Sequence, residues 1–189
     1  MKLANEHHAF NQDETNQIIG ARTLESKWIT ALNIGYCKAF GLLDIRDRAT
    51  QMSRDDNEKY ERMLSLIQTQ LNVAILIRNK ITHGQWRHPL NSQNTALNPN
   101  TKIIMEQENY LLIRSRANIF EAMTELIHYL CVSEATYKRD YDKYILQIDR
   151  YMYTYDKQGY ESFKRKMVDK YKRGQLKKQR NKEELEPPQ

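Results

Sequence analysis

Proline, glycine and cysteine are all scarce in this chain of 189 residues, with four, six and two of each. The prolines stand at 89, 99, 187 and 188, so 1–88 and 100–186 hold no residue that would break a helix on covalent grounds. An all-β sandwich or barrel needs frequent turn punctuation and is disfavoured by that spacing. Long apolar runs are missing as well. The longest aliphatic stretch, Val73 to Ile77, falls far short of the roughly 20 residues that span a bilayer, and the opening MKLANEHHAF has no apolar signal core. The expectation is a soluble, unexported protein with no membrane partner. Cys37 and Cys131 each sit in an apolar helical pattern and are expected to be buried thiols in a reducing compartment, the cytoplasm.

What is present is helical periodicity. Between Asp13 and about Ile45 the residues Ile18, Leu24, Trp28, Ala31, Leu32, Tyr36 and Phe40 recur mostly every three or four, with Asp13 as the expected N-cap. After a charged connector, where Asp55, Asp56 and Asn57 are candidate caps, a second helix is expected from about Glu58 through Thr82. Its stripe is Tyr60, Leu64, Ile67, Leu71, Ala74 and Arg78, so an arginine ends an apolar face. Gly84 is placed as a C-terminal stop, and the Asn-Pro-Asn at 98–100 signals a turn. Residues 101–106 read as a short extended piece. A third helix is expected from Leu111 to Leu130, with Leu112, Ala117, Phe120, Met123, Ile127 and Leu130 inward. From about Ser133 to Asp156 the series Tyr137, Tyr141, Tyr144, Ile148, Tyr151 and Tyr155 spaces as a heptad seam on a fourth helix, expected in the core or in an oligomer seam. A shorter basic helix from Tyr160 to about Lys172 completes the ordered part. The predicted fold is therefore all-α: a compact bundle of about four long helices over residues 1–172, with 173–189 a basic and then acidic flexible tail.

Charge is concentrated at one end. Residues 1–159 carry 20 basic and 19 acidic side chains, whereas 160–182 carry ten basic residues against Glu161 and Asp169. Lys164, Arg165, Lys166, Lys170, Lys172 and Arg173, with tyrosines between them, suit a polyanion such as RNA, because each neutralised phosphate releases counterions. A solvated helix running into a frayed tail is the alternative for the same residues.

Several chemistries lack their residues. No Gly-rich phosphate loop, H-E-x-x-H or C-x-x-C is present, and no cofactor or metal is implied. His7 and His8 read as solvated, and His128 as a core or boundary residue. What remains is LIRNKITHGQWRH at 76–88. Arg78 is expected at the core-facing edge of its stripe, where a guanidinium needs a partner, a ligand or a wet cleft. Asn79 and His83 are four apart and share a helical face, and Gly84 leaves His83 in the last turn. An imidazole beside a permanent cation is what metal-free phosphodiester cleavage requires: the imidazole moves protons and the guanidinium holds charge on phosphorus. Helix capping and a salt bridge to a neighbour account for the same three residues.

Arg78, its polar follower Asn79, the spacer Lys80-Ile81-Thr82, then His83 and Gly84 resemble the motif of the HEPN superfamily, the higher eukaryotes and prokaryotes nucleotide-binding domains. The resemblance implies a helical bundle. It implies a metal-independent endoribonuclease of toxin–antitoxin or phage-defence systems, homodimeric, with two motifs in one composite cleft and a 2′,3′-cyclic phosphate product. It makes His83 the general acid/base, Arg78 the transition-state cation and Asn79 an orienting group. An antitoxin or defence-system partner would accompany such a protein. Members that pair with a nucleotidyltransferase usually carry Tyr two residues after the His, and here Gln85 stands there. Lys80, Trp86 and His88 extend the motif as RNA-binding candidates, the Trp86 ring being expected to pack under the loop more than to stack on a base. Two other readings stay open: a non-catalytic module of the same fold that binds nucleic acid or nucleotide, and a helical protein-interaction subunit docking through its tyrosine seam.

Overall fold

The structure is a computed structural model that describes residues 9–153 and 157–185, so His7, His8, Tyr155, Asp156 and the closing prolines lie outside the described residues. In chain order the helices are α1 (Gln12–Gly20), α2 (Leu24–Phe40), the short α3 (Arg48–Gln51) behind a 3₁₀ turn at Ile45–Asp47, and α4 (Arg54–Leu66). A π turn at Ile67–Leu71 leads into α5 (Asn72–Thr82), with α6 (Pro99–Gln107), α7 (Tyr110–Val132), α8 (Glu134–Tyr153) and α9 (Lys157–Leu185) completing the order. The all-α class holds, with no strand among the described residues and a lone bridge between Leu90 and Leu97. None of these helices is long and apolar enough to cross a membrane.

The helix starts follow side-chain chemistry. Asn11, not Asp13, caps α1: its Oδ1 accepts from the Glu14 amide while Glu14 Oε2 accepts from the Asn11 amide, a closed capping box. The expected single helix to Ile45 is interrupted at Ala21–Thr23, because Thr23 and Ser26 form a second such box and start α2 afresh. Ser53 caps α4 through the Asp56 amide, so Asp55, Asp56 and Asn57 lie inside the helix. The stretch expected to be extended at 101–106 is helical, since Asn98 caps and Pro99 occupies the first turn, where its missing N–H costs nothing.

The core is built from α2, α4, α7 and α8. On α7 the positions Leu112, Arg116, Ile119, Met123, Leu126 and Leu130 are buried at spacings of four, three, four, three and four. Tyr137, Tyr141 and Ile148 answer them on α8, with Tyr144 and Tyr151 half-buried. Both faces thus carry a 3.5-residue seam, and Ser133 alone separates the two helices, so they fold back on each other in the most extensive packing of the molecule. Ile119 takes the inward place expected of Ala117, which is exposed. Each fully buried Leu, Ile or Met on this seam contributes about 1.5–3 kcal/mol. The tyrosine stripe belongs to the core: the Tyr137 and Tyr36 hydroxyls lie 2.5 Å apart, and Tyr60 and Tyr141 pack edge-on to those two rings. Cys37 and Cys131 are free and half-buried, and burial pushes the Cys131 thiol up to about 12. His128 is half-buried, a boundary residue as its helical context indicates.

The C-terminal helix departs most from expectation. Instead of a short helix ending near Lys172, α9 runs 29 residues, through the segment 173–185 read as tail. Lysine, arginine, glutamine and glutamate are good helix formers, and the run contains no proline. Every residue from Lys164 to Arg180 is exposed, and α9 shares no extensive packing with another helix.

Candidate active site

The segment from Arg54 to Thr82 is helical throughout, but the π turn at Ile67–Leu71 interrupts its register. A turn with i→i+5 bonding admits one more residue than an α turn, so positions beyond it no longer continue a 3.6-residue stripe. The consequence falls on Arg78. Tyr60, Ile67 and Leu71 are buried in the core as expected, yet on α5 it is Ile75, one position on from Ala74, that packs against the core, and Arg78 is exposed rather than core-facing. Its guanidinium donates to Asn79 Oδ1 at 3.3 Å and its carbonyl accepts from the Thr82 hydroxyl. Neither bond removes the charge, and the guanidinium joins no carboxylate among the described residues.

His83 is the C-cap of α5, and two backbone bonds turn the chain immediately after it. The Gly84 amide donates to Ile81 O at 3.0 Å and the Gln85 amide to Lys80 O at 2.8 Å, the two bonds of a Schellman closure. Gly84 has φ +69°, a conformation that disfavours any residue with a Cβ. The stop expected at Gly84 is therefore where the chain turns. Its effect is to leave Arg78, Asn79 and His83 exposed on one helix end, with no side-chain partner for His83 among the described residues.

The loop beyond is ordered by Gln85, a residue to which sequence reasoning gives no structural role. Gln85 Oε1 accepts from Lys80 Nζ at 3.0 Å and from the Leu90 amide at 3.1 Å, while its Nε2 donates to Asn94 Oδ1 at 3.1 Å. Lys80 Nζ also donates to the Leu90 carbonyl. Asn91 and Asn98 close the far side onto Ala96 O and Pro89 O, at 2.8 and 2.7 Å. One glutamine side chain thus ties the end of α5 to the loop at 90–94. Lys80, expected as an RNA contact, is half-buried and occupied by the loop, whereas Arg87 and His88 are exposed. Trp86 does not pack under the loop: it is 59% exposed, with Arg87 Cζ 4.9 Å from its ring centroid.

Composition sharpens the electrostatics. From Arg62 to Met105 there is no Asp or Glu, while Arg62, Arg78, Lys80, Arg87, Lys102, His83 and His88 fall in that window. In a chain with 24 acidic residues in 189, such a gap of 44 is a signal that the sequence itself carries. A phosphodiester approaching this stretch of chain meets no repelling carboxylate from the stretch itself. No cluster of three His, Cys, Asp or Glu occurs among the described residues. Lys164, Arg165, Lys166, Lys170, Lys172 and Arg173 are exposed on α9, a separate element from α5. No family model matches the chain, and no curated protein or solved structure is significantly similar to it.

Proposed function

We propose that this protein is a metal-independent endoribonuclease of the HEPN type, acting as a homodimer in a toxin or phage-defence setting. The observation that carries the reading is the solvent-open trio Arg78, Asn79 and His83 at the end of a helix in a carboxylate-free window. A structural salt bridge would have consumed Arg78, and none does so among the described residues. In the proposed reaction a ribose 2′-oxygen attacks phosphorus, forming the 2′,3′-cyclic phosphate as the bond to the 5′-oxygen breaks. His83 imidazoles from two protomers take the 2′-hydroxyl proton and supply the one the 5′-oxygen needs. Arg78 neutralises the charge that builds on the phosphoryl oxygens, and its bond to Asn79 holds the guanidinium toward that side.

The exposed cations of α9 hold flanking RNA in this scheme, so affinity falls steeply with salt, with a log–log slope of about −0.7 per phosphate neutralised on a single strand. The test is incubation with single-stranded and structured RNA in excess EDTA. Cutting that survives chelation, leaves cyclic phosphate ends and disappears in Arg78→Ala and His83→Ala is the expected result. Intact RNA with a folded wild-type dimer refutes it. Tight, salt-sensitive RNA binding with no turnover selects a non-catalytic module of the same fold. The burial of Tyr137, Tyr141 and Ile148 within the chain weighs against docking of a partner through that seam.

A further inference from the structure

Trp86 is the largest apolar side chain exposed beside the trio, and its position is not the result of a frayed loop. The residue before it, Gln85, is bonded through both its backbone amide and its side chain, and Pro89 three residues later is fully buried. The loop is therefore held while the indole is left in water, with one side of the ring taken by the Arg87 guanidinium. Burying an indole is among the larger hydrophobic gains a side chain makes, so an indole presented to solvent by a tied loop is a surface awaiting a flat ligand. Its surroundings define that ligand. Arg87, His83, His88 and Arg78 lie within eight residues of it and no carboxylate lies between positions 62 and 105, which favours an anionic partner. A flat, π-faced group carried on an anion is a nucleotide. Trp86 is three residues from His83, a reach of at most about 11 Å, so the base it meets belongs to the nucleotide at the scissile phosphate or to a near neighbour.

We infer that Trp86, backed by Arg87, is a stacking platform for an unpaired nucleobase next to the phosphate held at Arg78 and His83. This deepens the proposed function and rests on the reading of the chain as an RNA-binding protein. The substrate class comes from the geometry of A-form RNA, in which paired bases hide both faces in the stack and only an unpaired base can offer one. The enzyme accordingly acts on single strands and loops. Gln85 and Lys80 are positioning residues, holding the loop that presents the ring.

The experiment uses the full chain and a 12-nucleotide single strand carrying 2′-O-methyl groups, which binds but cannot be cleaved, alongside the same strand annealed to its complement. Tryptophan emission is recorded as RNA is added, in wild type and in Trp86→Phe, with Trp28, half-buried against Phe120, as the shared background. The expected result is quenching of wild type by the single strand and none in Trp86→Phe. Trp86→Ala should bind the single strand roughly 5- to 150-fold more weakly, Trp86→Phe should recover most of that loss, and the duplex should show little dependence on residue 86. Equal affinity of Trp86→Ala and wild type for the single strand overturns the inference, as does equal loss on strand and duplex. Emission that shifts to the blue with protein concentration alone also overturns it, because a second copy then covers the ring. Cleavage of unmodified RNA is scored separately, so a protein that cuts normally with alanine at 86 sinks the platform and spares the nuclease, while one that stacks RNA without cutting does the reverse.

Discussion

Replacing Tyr137 by Phe tests the core at its most specific point. Tyr36 on α2 and Tyr137 on α8 are both 0% exposed, with hydroxyl oxygens 2.5 Å apart and ring centroids 5.8 Å apart at 76°. Each hydroxyl is the other's hydrogen-bond partner, and neither is reached by water. Removing one leaves the other buried and unsatisfied, which costs about 1–3 kcal/mol. The same cost is expected for Tyr36→Phe. The double variant should then lose far less than the sum, because both polar groups are gone and two phenyl rings of nearly the same shape remain. The cycle should report a coupling of about 1–3 kcal/mol, large against the few tenths expected for independent sites. In a domain of this size each kcal/mol moves Tm by about 2–4 °C, so each single variant should melt several degrees below the wild type and the double variant close to the singles, with no further drop of the same size. Urea unfolding monitored by far-ultraviolet circular dichroism measures all four proteins. Additive losses, with the double variant the least stable by the sum of the singles, would show that the hydroxyl pair is absent and that α2 and α8 do not meet as described.

Three further outcomes rest on the same packing and on the loop beside it. Burial pushes the Tyr36, Tyr137 and Tyr141 phenols well above their ordinary value near 10, so the unfolded chain releases protons above about pH 10 that the folded chain retains. Stability is complete below that pH and falls above it, by up to about 1.4 kcal/mol per pH unit for each phenol, and a urea midpoint unchanged between pH 9 and 11 would contradict this. Gly35→Ala places a Cβ 3.1 Å from Leu130 Cβ and 3.5 Å from Cys131 Sγ, where α2 meets α7. The strain should outweigh the gain in helix propensity and lower the unfolding free energy by about 1–2 kcal/mol, and a stabilised variant would refute the close approach. Gly84→Ala, forced to φ +69°, should cost about 1–2 kcal/mol and raise amide exchange across residues 84–94, with unchanged exchange counting against the loop closure.

The helices are legible in the sequence where one face is buried and the other wet. Spacing alone places α7 and α8 but leaves the tyrosine seam to the core or to an oligomer interface, and the burial of Tyr137, Tyr141 and Ile148 decides for the core. Capping is the weaker guide: the break at Thr23 depends on a reciprocal pair with Ser26, and Asn98-Pro99 reads as a turn or as a helix start according to what comes after it. Residues 173–185 read as a tail because α9 obeys helix propensity while every residue from Lys164 to Arg180 is exposed, so its polar composition resembles an unfolded segment. At the site, Gly84 announces the helix stop. The exposure of Arg78 does not announce itself, since a π turn seven residues earlier alters a register that sequence periodicity assumes to be constant. Gln85 is invisible for another reason: its partners at Lys80, Leu90 and Asn94 are brought to it by the loop closure it helps to make.

That arrangement separates the chemistry from the stability of the fold. The buried seam runs through α2, α4, α7 and α8, while among the described residues α5 contributes only Ile77 to the buried positions and that side chain lies outside the core cluster. Arg78, Asn79, His83 and Trp86 are exposed, so replacing any of them removes little packing and should move stability by no more than about 0.5 kcal/mol. Gln85 is different in kind. Its three side-chain bonds cross from the helix end to the loop, and Gln85→Ala should leave the melting of the core nearly intact while freeing residues 86–94. A site built this way makes its own control available: if Gln85→Ala lowers RNA cleavage as far as Trp86→Ala without lowering Tm, the loop acts by presenting the ring, whereas a parallel fall in Tm would mean that α5 and its loop are part of the cooperative core after all.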